Sequence, residues 1–80
     1  MKKDQETNAK IAQLGNRIKS LRLSKGYSNA EKFAYENEIS RSQYAQYENG
    51  KDLRFSSLVK LTGAFGISLE EFFSEGFDDN

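Results

Sequence analysis
An 80-residue chain supports one packed core rather than two, and its 12 Lys and Arg balance its 12 Asp and Glu. The absence of Cys and His excludes disulfide staples, ordinary zinc sites, thiol nucleophiles and imidazole bases. A composition 36% hydrophobic and 30% charged fits a soluble globular domain. No apolar run reaches the roughly 18 residues that would span a bilayer, and the Lys2–Lys3 start lacks the apolar stretch of a signal peptide. The expectation is a cytoplasmic protein without cofactor or metal, and not an enzyme.

Residues 1–8 read as a flexible polar arm. Ile11, Leu14, Ile18 and Leu21 then recur at three- and four-residue steps, which predicts a helix from about Ala9 to Lys25, stopped by Gly26. Three later helices open on a serine: Ser28 with Glu31, Ser40 with Gln43 and Ser68 with Glu71 have the spacing of a capping box. Ile39 with Tyr44, and Ile67 with Phe72, add hydrophobic staples at the last two. These signals predict short helices over about 29–36 and 41–49, the latter stopped by Gly50, and a final one after Ser68. A weaker start at Ser56 or Ser57 opens another helix through Leu58, Leu61, Thr62 and Phe65, ended by Gly66.

No segment shows the two-residue alternation of a strand, so the predicted class is all-α with five helices. One domain spans residues 9–76, and residues 77–80 form an acidic C-terminal tail. The link 37–40 is too short for its helices to lie antiparallel over any length, which suits a helix-turn-helix crossing at a steep angle. Charge is uneven along this order. Up to Lys60 the chain carries a net +5, and its last twenty residues carry −5. A basic body with an acidic end suits a polyanion partner, although solvated helix faces give the same pattern.

From Leu14 to Phe73 the chain resembles the Cro/CI-type (XRE) helix-turn-helix family. The resemblance rests on Leu21-Arg22 with Lys25-Gly26, on Ile39-Ser40, on Tyr47-Glu48-Asn49-Gly50 and on Phe65-Gly66-Ile67-Ser68-Leu69. It implies a compact five-helix, lambda-repressor-like domain whose third helix enters the DNA major groove. Glu38 departs from the pattern, standing where the family usually has a glycine, and the stretch from Tyr27 to Phe33 is one residue longer than usual.

The resemblance also assigns roles. Tyr44 and Tyr47 face inward, leaving Arg41, Ser42, Gln43 and Gln46 to contact bases, since Arg suits guanine O6/N7 and Gln suits adenine N6/N7. Gln43 has a competing use in its capping box. Asn49, Lys51 and Arg54, with the Gly50 amide, are expected on phosphates, and Asn29 approximates the phosphate contact at the entrance of the second helix. Arg22 and Glu48 are expected as a structural ion pair.

Phe72, Phe73 and Phe77 crowd six residues of the acidic tail, and together with the C-terminal helix they are expected to form the interface of a weak two-fold homodimer. The function implied is a sequence-specific, double-stranded DNA-binding transcriptional regulator of repressor type. The alternative is a protein-interaction or antitoxin-like module with a regulatory protein partner and weak or no DNA binding, favoured by the zero net charge and the acidic, Phe-rich tail.

Overall fold
The computed structural model describes residues 2–78, so Met1 of the expected arm and Asp79 and Asn80 of the acidic tail lie outside the described residues. Five helices follow in order: α1 (Lys2–Ser24), α2 (Ala30–Glu36), α3 (Arg41–Glu48), α4 (Phe55–Phe65) and α5 (Leu69–Phe72). No strand occurs among the described residues. The all-α, lambda-repressor-like architecture expected from the sequence is the architecture observed.

Three boundaries differ from expectation, each for a local reason. Helix α1 starts at Lys2 rather than near Ala9, because no glycine or proline interrupts the polar segment before Gly15; residues 5–10 form a solvated helical extension where a flexible arm was expected. The cap of α2 is Asn29 and not Ser28: the Asn29 backbone is extended, and its Oδ1 accepts the N–H groups of Glu31 at 2.8 Å and Lys32 at 3.1 Å. Helix α4 opens at Phe55 behind Arg54, whose side chain makes no cap bond, so Ser56 and Ser57 fall inside its first turn. At Ser40 and Ser68 the hydroxyl half of the expected capping box is present, the hydroxyls accepting from Gln43 N at 3.4 Å and Glu71 N at 3.0 Å.

The first four helices end alike. After each, an N–H donates to the carbonyl five residues back: Tyr27 to Arg22 at 3.2 Å, Ile39 to Ala34 at 2.9 Å, Lys51 to Gln46 at 3.0 Å and Ile67 to Thr62 at 3.1 Å. The residue before that N–H takes left-handed backbone, and three times it is glycine. Between α2 and α3 it is Glu38, with φ of 58°. Glu38 holds this left-handed backbone without a glycine's freedom, at a strain on the order of 1 kcal/mol.

Phe33 of α2 occupies the centre of the core. Its ring stacks on Phe65 at 5.1 Å between centroids and meets Tyr44 at 5.2 Å and Tyr27 edge-on at 5.1 Å. Ile18 and Leu21 from α1, Leu58 and Leu61 from α4 and Phe72 from α5 complete the buried cluster. Ile39 and Ile67 pack against it, which places both hydrophobic staples at its edge.

Helix α1 attaches to its neighbours by two unlike devices. Toward α3 it presents Gly15, where a Cβ would lie 2.7 Å from the Glu48 carbonyl oxygen and 2.9 Å from Gly50 N, so only a glycine admits this approach. Toward the C-terminal segment it presents a row of donors. Buried Arg17 donates from Nε to the Phe72 carbonyl at 2.7 Å and from Nη2 to that of Glu71 at 2.9 Å. Lys10 Nζ and Gln13 Nε2 reach the Phe77 and Asp78 carbonyls, each at 3.1 Å.

Candidate nucleic-acid interface
Helix α3 is oriented by its tyrosines. Tyr44 is buried and Tyr47 half-buried on the inner side, and Arg41, Ser42, Gln43 and Gln46 are all exposed. Ala45, which the sequence pattern did not single out, is exposed with them, a small apolar group suited to a thymine methyl. Its legible signal was only its position in the helix, two residues from Gln43 and next to Gln46.

Behind this face the helix is held by a forked ion pair. Arg22 Nε donates to Glu48 Oε2 at 2.7 Å and Nη2 to Oε1 at 3.1 Å, while Nη1 donates to the Tyr27 carbonyl at 2.7 Å. The two side chains are 6% and 10% exposed, so neither charge has much water to fall back on. The hydrogen-bonded Glu48 carboxylate raises the Arg22 pKa above its usual value. The Tyr44 hydroxyl sits buried beside this pair without a hydrogen bond of ordinary geometry, and burial first, then the neighbouring Glu48, pushes its pKa up.

Four of the expected nucleic-acid contacts come together. Gln43, Gln46, Lys51 and Arg54 line one shallow groove between α3 and the start of α4, joined by Tyr47 and by Ser57, a hydroxyl that the sequence pattern did not single out. Within it Lys51 Nζ donates to Gln46 Oε1 at 3.0 Å. Arg41 and Asn29 lie apart, lining a second depression with Lys32 and the 84%-exposed Tyr35. Arg41 also meets Glu31 at 3.7 Å; with side-chain exposures of 73% and 65%, that pair is too solvated to hold it. Ser42 Oγ lies 3.2 Å from Ser40 Oγ.

Some expected roles change. Asn29 Oδ1 is occupied by the α2 cap, leaving only its amide group for an outside partner. Asn49 is the C-cap of α3, with its own N–H turned back on the carbonyls of Ala45 and Gln46. The Gly50 amide is half-buried and directed to the Tyr47 carbonyl at 3.4 Å against α1, so it does not offer itself to a phosphate. Phe72 is fully buried and is excluded from any interface; Phe77 is half-buried with its ring 6.1 Å from that of Phe72. Only Phe73, 47% exposed, remains of the three.

Among the described residues no group of three or more Asp and Glu side chains is placed to hold a metal ion, and no helix is long and apolar enough to cross a membrane. The chain matches the model of a family described as a helix-turn-helix domain over residues 15–75. It is 37% identical over 62 residues to control protein C.MunI from a Mycoplasma species, covering 76% of this chain and 84% of that protein. No solved structure matches. With α3 held on α1 and its polar face outward, the chain belongs to the helix-turn-helix domain family, of the Cro/CI (XRE) type.

Proposed function
We propose that the chain is a sequence-specific, double-stranded DNA-binding transcriptional regulator of repressor type, which inserts α3 into the major groove. One observation carries this reading: Gln43 and Gln46 on the exposed arc of α3 share a groove with Lys51 and Arg54. Amides able to read base edges thus adjoin cations able to grip the phosphates that flank them. The Arg22–Glu48 fork fixes the helix from behind, so that reading and gripping groups keep one register. The likeness to a protein named as a control protein supports the regulatory role. Occupancy of a site would then be the mechanism, with no chemistry performed.

Selection of binding sites from random duplexes tests this directly. The expected result is a recovered consensus, bound with an affinity that falls as salt rises. Against that consensus, Arg41→Ala and Gln46→Ala each weaken binding by about 1 to 3 kcal/mol and leave scrambled duplex nearly unaffected. Lys51→Ala weakens both and reduces the salt slope by about one unit. No recovered consensus, or affinity indifferent to salt, would replace this reading with that of a protein-interaction module on the same fold.

A further inference from the structure
The bond that closes each of the first four helices also brings two side chains near each other: that of the donating residue and that of the residue whose carbonyl accepts. After α1, α2 and α4 these pairs are Tyr27 with Arg22, Ile39 with Ala34 and Ile67 with Thr62, each a half-buried residue against a buried one. After α3 the pair is Lys51 with Gln46, and both are exposed. The joint that elsewhere closes an edge of the core is here turned outward, into the groove that also holds Gln43 and Arg54.

Lys51 is tied to Gln46 twice. Its backbone N–H donates to the Gln46 carbonyl at 3.0 Å, and its Nζ donates to Gln46 Oε1, also at 3.0 Å. An ammonium has only hydrogens to offer, so the amide atom that meets it must be the oxygen. The orientation of the Gln46 amide is thereby set: Oε1 is turned to the lysine, and the Nε2 hydrogens are left for an outside partner. Any further group approaching Oε1 comes up against the positive charge beside it. Taken together, the two side chains present donors.

Guanine and adenine differ at one group of the edge they show in the major groove. N7 accepts in both, but beside it guanine carries the acceptor O6 and adenine the N6 amino donor. A free glutamine suits adenine, because it accepts from N6 and donates to N7. Resting on the DNA-binding reading above, we propose that Lys51 is a positioning residue that turns Gln46 from an adenine reader into a guanine reader. Nε2 donates to the purine edge, and the ammonium beside Oε1 disfavours an amino group where guanine has its oxygen. The ammonium has hydrogens to spare, so Lys51 keeps its phosphate contact as well. Gln43 supplies the contrast within the same groove: its side-chain amide makes no hydrogen bond among the described residues and keeps both atoms for a base.

The test runs the selection from random duplexes on the full chain and three variants. Gln46→Ala identifies the base pair that Gln46 reads, as the position that loses its preference. Wild type is expected to select guanine there. Lys51→Met keeps the stem and loses the hydrogens, and it should move that position toward adenine, the guanine-to-adenine ratio falling about tenfold. The position read by Gln43 should stay as in wild type. Lys51→Arg, which still donates, should keep guanine. Both changes fall on an exposed side chain, so folding is kept. In the free protein, the side-chain amide NMR signals of Gln46 should shift on Lys51→Met while those of Gln43 hold still. Several results would overturn the inference and leave the DNA reading in place: a base other than guanine at the Gln46 position in wild type, no position that answers to Gln46→Ala, an unchanged preference in Lys51→Met, or Gln46 amide signals indifferent to that substitution. Failure of every protein to yield a consensus would overturn both.

Discussion

Helix α1 holds α3 on one side and the C-terminal segment on the other, and it does so with arginines that meet opposite kinds of partner. Arg22 faces a carboxylate that matches its fork, in the company of a glycine that lets the backbones touch. Arg17, five residues earlier and 8% exposed, faces only carbonyl oxygens. The first attachment depends on which side chain stands at position 48. The second takes its hydrogen bonds from the backbone of residues 71–72 and so needs no charged partner side chain. One attachment fixes the placement of α3; the other fastens the C-terminal segment, adding a cation–π contact as the Arg17 guanidinium lies 5.9 Å over the Phe72 ring.

The largest predicted effect breaks the first attachment. Glu48→Ala strands a guanidinium among buried groups and should lower stability by about 3 kcal/mol, measured by chemical denaturation. A double-mutant cycle with Arg22→Ala should show strong coupling, and absence of coupling would contradict the pairing. Gly15→Ala attacks the same attachment sterically. Its Cβ meets backbone atoms that cannot step aside, so a loss of about 2 to 3 kcal/mol is expected, with the affinity for the selected duplex falling as α3 shifts. If Gly15→Ala were neutral, the close approach of α1 and α3 would not be required.

Breaking the second attachment should do less and do it differently. Arg17→Met keeps the apolar stem over Phe72 and removes two charge-assisted bonds, with a predicted loss of about 2 kcal/mol. The freed carbonyls belong to the C-terminal segment and not to α3, so DNA affinity of the folded protein should be unchanged. Reduced affinity at full folding would show that the C-terminal segment also positions α3, erasing the contrast.

Two smaller effects sharpen the comparison by raising stability on the α3 side. Glu38→Gly relieves the left-handed backbone at φ 58° and should gain about 1 kcal/mol, visible as a higher Tm. Tyr44→Phe removes a buried hydroxyl that has no good partner and should be neutral or stabilising by up to about 1 kcal/mol. The raised pKa of Tyr44 carries a sign: the folded state holds its proton more firmly than the unfolded one, so stability is fully present below the unfolded phenol pKa of about 10 and declines above it. Tyr44→Phe should flatten that alkaline decline, as followed by denaturation at stepped pH. Equal alkaline slopes in both proteins would remove Tyr44 as its source.

The same contrast explains what the sequence made legible. The Arg22–Glu48 pair is announced by residue types at two places in a family pattern, and the face of α3 follows from two tyrosines three apart. Ser40, Ser68 and the hydrophobic staples mark helix starts because side chains perform the capping. Arg17 carries no such announcement, since its acceptors are carbonyls that every residue possesses. Asn29 displaced Ser28 as a cap because both residue types qualify and only the backbone angles at 29 choose between them. Helix α1 ran on to Lys2 because a polar run without breakers reads alike as arm or as solvated helix. The tail misled most: three phenylalanines in six residues suggested a surplus, and burial of Phe72 with half-burial of Phe77 left one exposed ring where an interface was expected. Other exposed apolar residues lie scattered over the helices, Leu23 on α1, Tyr35 on α2 and Phe55 and Val59 on α4, and read as ordinary helix-face hydrophobics until burial is known.

The shared way in which the first four helices stop has a thermodynamic consequence for binding. Each connection starts with a backbone bond that folds the chain back on the helix it has just left, and the longest of them, residues 49–54, is only six residues. The backbone that would meet a duplex is therefore ordered before the duplex arrives. Association should proceed with little loss of chain entropy and with a heat-capacity change limited to the surface covered, far from the signature of a segment that folds on its target.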